Sequence, residues 1–130
     1  MLQNDQNFLS VISAKLNNMV DVCKPYAPTF LRIGISLIIL WFGYQQIVDS
    51  QNWIGYLPDW TGMLPVSPTN LIYLNGTFEL VFGTMMLVGL FTRFSSLLLA
   101  LHMLEITYVV GFSATGVRDF GIFVALFSVF

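Results

Sequence analysis

The chain is predicted to be all-α: an integral membrane four-helix bundle preceded by an N-terminal amphipathic interfacial helix. Three observations carry that prediction. Of the 130 residues, 56% are hydrophobic and only 9% carry charge, whereas a soluble domain holds about 25% charged residues. The mean hydropathy is +0.76, so too few polar groups are present to cover a water-facing surface. Long apolar stretches are separated by short segments rich in Pro, Gly and aromatic residues, the punctuation expected between helices.

Residues 1–27 form the interfacial segment and residues 28–130 the transmembrane domain. Within the first, residues 5–23 place Phe8, Leu9, Ile12, Leu16, Met19, Val20 and Cys23 at helical spacing on one face. Asn7, Lys15, Asn17, Asn18 and Asp21 fall mainly on the others. Such a stripe lies flat at the lipid headgroups or packs on a partner protein. Pro25 and Pro28 are expected to break the helix and redirect the chain.

The spans are predicted at about 28–48, 69–89, 93–111 and 117–130. Twenty residues at ~1.5 Å each cover the ~30 Å hydrocarbon layer. Trp53, Tyr56 and Trp60 in the 49–68 connection are suited to the membrane–water interface. Ser67-Pro68 makes a helix start, Gly89 a helix stop, and Thr92 is expected to cap the third span. The short link between the second and third spans makes them antiparallel neighbours. The fourth span reaches only ~22 Å from Gly116 to Phe130. Either the natural chain continues or the helix ends inside the bilayer against a partner, and the first reading is preferred.

Positive residues set the orientation. Lys15, Lys24, Arg32 and Arg93 flank one side, while the 49–68 connection carries Asp49 and Asp59 without Lys or Arg. The expected location is therefore the cell membrane, multi-pass, with the N-terminus cytoplasmic. A net charge of −2 provides no basic patch for nucleic acid. The N-terminus lacks a signal-peptide pattern and is read as part of the mature protein. Cys23 is the only cysteine, which excludes an internal disulfide, a CxxC pair and a cysteine-based metal site.

Charged groups at bilayer depth cost about 2.5–3.5 kcal/mol each and mark functional candidates. Glu79, His102 and Glu105 are the three deep ones. Counting from the helix ends places both carboxyls ~15–18 Å from the cytoplasmic side, and His102 and Glu105 share a face. Gly76 and Gly83 flank Glu79 and let another helix approach, which turns Glu79 toward the bundle. Arg32, Ser36, Gly43 and Gln46 make a small or polar stripe on the first span. Arg118 and Asp119 open the fourth, with Arg118 able to reach toward Glu105 and Asp119 suited to the positive end of the helix dipole.

Three readings stay open. The cluster is a buried network in which the carboxyls are neutral or paired with Arg32 and Arg118, and which fixes helix packing. It is a proton-handling or quinone-headgroup site. Or it is a carboxylate–histidine metal site, disfavoured because His102-x-x-Glu105 reverses the Glu-x-x-His order of di-iron bundles and a second histidine is missing. No metal is therefore assigned.

LRIGISLIILWFGYQQI, ELVFGTMMLVGLFTRFSSLLLALHML and GVRDFGIFVALF together resemble the DoxX-like membrane proteins, from about Thr29 to Phe130. The matching positions are Arg32, Trp41, Gly43, Glu79, Gly89, Arg93, Arg118 and Asp119. Gln45-Gln46 stands where the family usually has a basic end. The resemblance implies a four-helix membrane bundle. For some members it implies quinone-linked thiosulfate oxidation or a membrane oxidoreductase complex, with quinone as the ligand and other membrane or membrane-associated subunits as partners. The alternative is a non-catalytic scaffold or accessory subunit of a larger membrane assembly. No flavin, haem or iron–sulfur motif is visible, so an enzymatic role requires a partner that supplies the cofactor.

Overall fold

The computed structural model describes the backbone of residues 2–130 and the side chains of residues 8–130, so Asn7, placed on the polar face of the first helix, has its side chain outside the described residues. Among the described residues the regular structure is entirely helical. The chain divides into two compact units, Met1–Phe30 and Leu31–Phe130.

The first unit contains α1 (Leu2–Cys23), whose described side chains are all exposed, apolar stripe included. The α-helix is interrupted where the prolines stand, between Cys23 and Ala27. Lys24–Tyr26 form one 3-10 turn, and Cys23 and Ala27 on either side of it both remain in the right-handed helical region. Pro25 sits at the start of that turn and Pro28 in the first turn of α2 (Ala27–Val48). A missing N–H costs nothing at such positions, because it would have had no intrahelical partner.

The second unit is built from the rest of α2, then α3 (Pro68–Val88), α4 (Thr92–Val110) and α5 (Ala114–Val129). Two 3-10 segments, Ser50–Tyr56 and Asp59–Met63, occupy the connection between α2 and α3. Helices within Phe8–Val48, Pro68–Val88 and Thr92–Val110 are long and apolar enough to cross a membrane. Ile35, Ile39, Met86, Leu99, Ala100, Met103, Ile122 and Leu126 form one buried apolar cluster, to which each of α2 to α5 contributes.

The buried positions of α3 are Ile72, Gly76, Glu79, Gly83 and Met86, a strict alternation of four- and three-residue steps that draws one seam along the helix. That seam lies on α2, which runs the opposite way. Gly76 meets Gly43, and Gly83 meets Ile39 and Leu40. At the far end the Arg32 guanidinium lies against Gly89, a cation at the negative end of the α3 dipole.

The helix ends follow from local chemistry. The Ser67 hydroxyl accepts from the Asn70 N–H at 3.3 Å and Pro68 takes the first turn. At the other end Gly89 adopts φ +84°, and the Leu90 N–H reaches back to the Met85 carbonyl at 2.8 Å, a Schellman closure that needs the left-handed conformation glycine tolerates. Two expected starts are corrected. Thr92 is the first residue of α4 rather than its cap; Phe91 holds the cap position in a left-handed conformation with no side-chain bond. α5 begins at Ala114, three residues before the expected Val117, because the Ser113 hydroxyl accepts from the Gly116 N–H at 3.1 Å. Serine at that position is an N-cap.

Candidate functional site

A cavity of about 460 Å³ opens between the α2–α3 connection, the neighbouring halves of α2, α3 and α4, and the start of α5. Its lining combines the aromatic rings of Trp41, Trp53 and Tyr56 with the polar side chains of Gln46, Asn75, Glu79 and His102. The volume falls within the range of small-molecule sites.

Glu79 is 1% exposed, and its two oxygens face a set of donors. Gln46 Nε2 donates to Oε2 at 2.9 Å, and Asn75 Nδ2 donates to Oε1 at 3.3 Å. Asn75 Nδ2 also donates to Gln46 Oε1 at 2.7 Å, closing a triangle across α2 and α3. His102 Nε2 stands 3.5 Å from Glu79 Oε1. That nitrogen is buried and has no hydrogen-bond partner. Phe78, with its ring centroid 5.0 Å from the imidazole, packs on the ring. The opposite ring nitrogen, Nδ1, lies 4.0 Å from Glu105 Oε2.

The proposed residues separate into two groups. Glu79 and His102 meet in the lining of the cavity. Glu105 lines the same cavity with its side chain 61% exposed. Neither Arg32 nor Arg118 forms an ion pair with Glu79 or Glu105. Arg32 lies at Gly89, since antiparallel packing puts the start of α2 beside the end of α3, ten residues and ~15 Å from Glu79. Arg118 Nε instead donates to Asp119 Oδ1 at 2.7 Å, and its guanidinium carbon sits 4.7 Å from the centre of the Phe42 ring. Asp119, 3% exposed, is held in the wall of the cavity by that bond. Among the described residues no three of His, Cys, Asp and Glu converge as metal ligands.

Asn75 was not singled out from the sequence, although a signal existed: it lies four residues before Glu79, on the same face of α3. Gln46 was visible only as part of a polar stripe. Its role depends on the helix crossing, which places it opposite Glu79.

The family model described as DoxX matches residues 27–111, nearly two thirds of the chain, from the start of α2 to just past the end of α4. The chain belongs to the DoxX family. Its apolar helices take a lipid bilayer as their solvent, and the protein is a multi-pass membrane protein. The matched segment of this DoxX protein holds Gln46, Asn75, Glu79, His102 and Glu105, whereas Arg118 and Asp119 lie beyond it. No curated protein and no solved structure matches the chain.

The triangle gives this DoxX protein a measurable weak point. Gln46→Leu keeps the shape of the site while removing a donor from a buried carboxyl, an omission that costs about 1–3 kcal/mol. Replacing Gln46 and Glu79 together by leucine removes donor and acceptor alike. The double variant is therefore expected to lose less stability than the sum of the two single ones. Thermal unfolding of all four proteins in one detergent measures this; strict additivity would show that the pair does not interact.

Proposed function

We propose that this DoxX protein is a membrane subunit of quinone-linked oxidoreduction, holding a quinone-type headgroup in the cavity above Glu79 and His102. The observation that carries this reading is a cavity lined by aromatic rings together with a buried His102 Nε2 that lacks a hydrogen-bond partner. A quinone carbonyl is an acceptor of the kind that an imidazole N–H would satisfy. When bound, the quinone accepts two electrons and two protons to become the quinol. Here Trp41, Trp53 and Tyr56 would pack on the ring, Gln46 and Asn75 would orient Glu79, and Glu79 and His102 would hold the protons. A redox partner subunit supplies the electrons, which fits a chain without a recognisable cofactor motif.

In the same reading, α2 to α5 form the four-helix membrane domain of residues 28–130. α1, in residues 1–27, lies at the cytoplasmic headgroups of the cell membrane, with Lys15 and Lys24 favouring that side. A second reading has its own support. The two amide donors already serve both oxygens of Glu79, as they would in a non-catalytic accessory subunit whose polar network only fixes helix packing.

Quinone binding and reduction by the purified protein with its native partners, comparing wild type with Glu79→Gln, separates the two. Glutamine preserves size but accepts through one oxygen only and cannot take up or release a proton. Turnover is expected to fall at least tenfold, by more than any loss of folded protein measured by thermal unfolding accounts for. Unchanged turnover with an intact fold sinks the redox reading and leaves the accessory one.

A further inference from the structure

We propose that Glu105, His102 and Glu79 form a one-sided proton relay, with Glu105 as its port at the end of the bundle that carries the α2–α3 connection. The three side chains descend in order from that end. Glu105 lies five residues before Val110, the end of α4, and His102 eight, which puts them ~7.5 Å and ~12 Å down the helix. Glu79 lies eleven residues beyond Pro68 on the antiparallel α3, ~16 Å down. Exposure falls along the same path, from 61% for the Glu105 side chain to 14% for His102 and 1% for Glu79.

The imidazole stands within 4.0 Å of both carboxyls and presents a different nitrogen to each. Nδ1 faces Glu105 Oε2 at 4.0 Å, and Nε2 faces Glu79 Oε1 at 3.5 Å. Both gaps exceed hydrogen-bond length and are of the size that one rotamer change closes. In the inward direction the Glu105 O–H bond breaks as an N–H bond forms at Nδ1. The Nε2–H bond then breaks as an O–H bond forms at Glu79 Oε1. The ring is left neutral with its proton on Nδ1, and a ring flip or an exchange of tautomers resets it. No electron moves, so the relay requires no oxidant or reductant.

Below Glu79 the interior holds Ile39, Met86, Leu99 and Leu126 with Ser36, Ser95 and Ser96, all 0% exposed, and no buried carboxyl or imidazole among the described residues. The remaining titratable groups around the same cavity are Asp49 and Tyr56 from the α2–α3 connection and Arg118 and Asp119 from α5. Arg118 and Asp119 are paired with each other. Asp49 Oδ2 accepts a bond from Asn52 Nδ2. Glu105 is the carboxyl within reach of His102 Nδ1. The relay needs no particular ligand in the cavity, so the quinone reading can fail while this one stands.

The chain has one histidine, so ring-nitrogen-labelled protein in lipid nanodiscs gives a single imidazole signal in nuclear magnetic resonance. Glu105→Gln is expected to slow exchange of the His102 ring protons with water at least tenfold, with the Nε2 shift unchanged. Glu105→Asp should restore part of the rate, and Asp49→Asn should leave it as in wild type. Glu105 is mostly exposed, and circular dichroism of each variant checks that the helices persist. Exchange in Glu105→Gln at the wild-type rate would overturn the proposal, because water would then reach His102 by another route. An equal slowing in Asp49→Asn would overturn it as well, since no defined port would exist.

Discussion

Gly43→Ala is expected to destabilise the protein by about 1–3 kcal/mol, the usual cost of forcing a methyl group into a packed interior. A β-carbon at Gly43 would stand 2.8 Å from the Gly76 carbonyl oxygen and 3.1 Å from the Glu79 β-carbon. The nearest obstacle is backbone, so no rotamer change can relieve it. The reciprocal contact is as tight, with a β-carbon at Gly76 meeting the Gly43 carbonyl oxygen at 2.9 Å. α2 and α3 must therefore move apart, and the bond from Gln46 to Glu79 lies one turn from the crossing. Gly34→Ala, in the same helix, is the control: nothing lies within 4 Å of the added methyl group. There alanine should be neutral or should stabilise by up to about 1 kcal/mol, the difference in helix propensity. One substitution in one helix thus has opposite signs at two positions. Thermal unfolding followed by circular dichroism in a single detergent reads the difference, and equal shifts for both variants would show that the crossing is not tight. Gly43→Val should be worse than Gly43→Ala on the same scale.

Gly116→Ala is expected to cost more, about 3 kcal/mol or above, beyond the ordinary overpacking range. A β-carbon there would overlap the carbonyl oxygen of Gly111. That carbonyl folds back over the first turn of α5 because Gly111 adopts φ +69°, and it is fixed there by the Ser113 N–H at 2.9 Å. Relief requires the whole α4–α5 turn to be rebuilt. Since Arg118 and Asp119 follow within one turn and line the cavity, the variant should disturb the cavity wall together with stability. Ser113→Ala tests the same turn more gently, as loss of an N-cap costs about 1 kcal/mol. If Gly116→Ala unfolds at the wild-type temperature, the turn is more pliable than this geometry allows.

Much of the second unit could be read from residue order alone. Ser67-Pro68 starts α3 and Gly89 ends it because capping and proline placement are local effects that no distant contact has to supply. The membrane class follows from composition, since a chain with so few charges has nothing with which to cover itself in water. The early start of α5 was equally local, and Ser113 was its signal. Pro25 and Pro28 marked the place where the α-helix is interrupted, but not that a 3-10 turn carries the chain across it, since that depends on the register in which the next helix begins.

The site divides along the same line. The sequence by itself determined that Glu79, His102 and Glu105 lie on neighbouring antiparallel helices, because the length of the connection and the rise per residue are enough to fix direction and approximate depth. It also placed Gly76 and Gly83 on the face of Glu79. Only the tertiary structure decided what Glu79 meets. The close approach of Gly43 and Gly76 brings Gln46 opposite Glu79, completes the triangle with Asn75, and leaves Arg32 at the far end beside Gly89. The tertiary structure likewise decided that Glu105 stands at the mouth of the cavity while His102 turns one nitrogen to each carboxyl. The physical reason is that spacing along a helix fixes which residues share a face, whereas the partners of that face depend on the rotation and crossing of the neighbouring helix, set by side-chain packing between residues far apart in sequence.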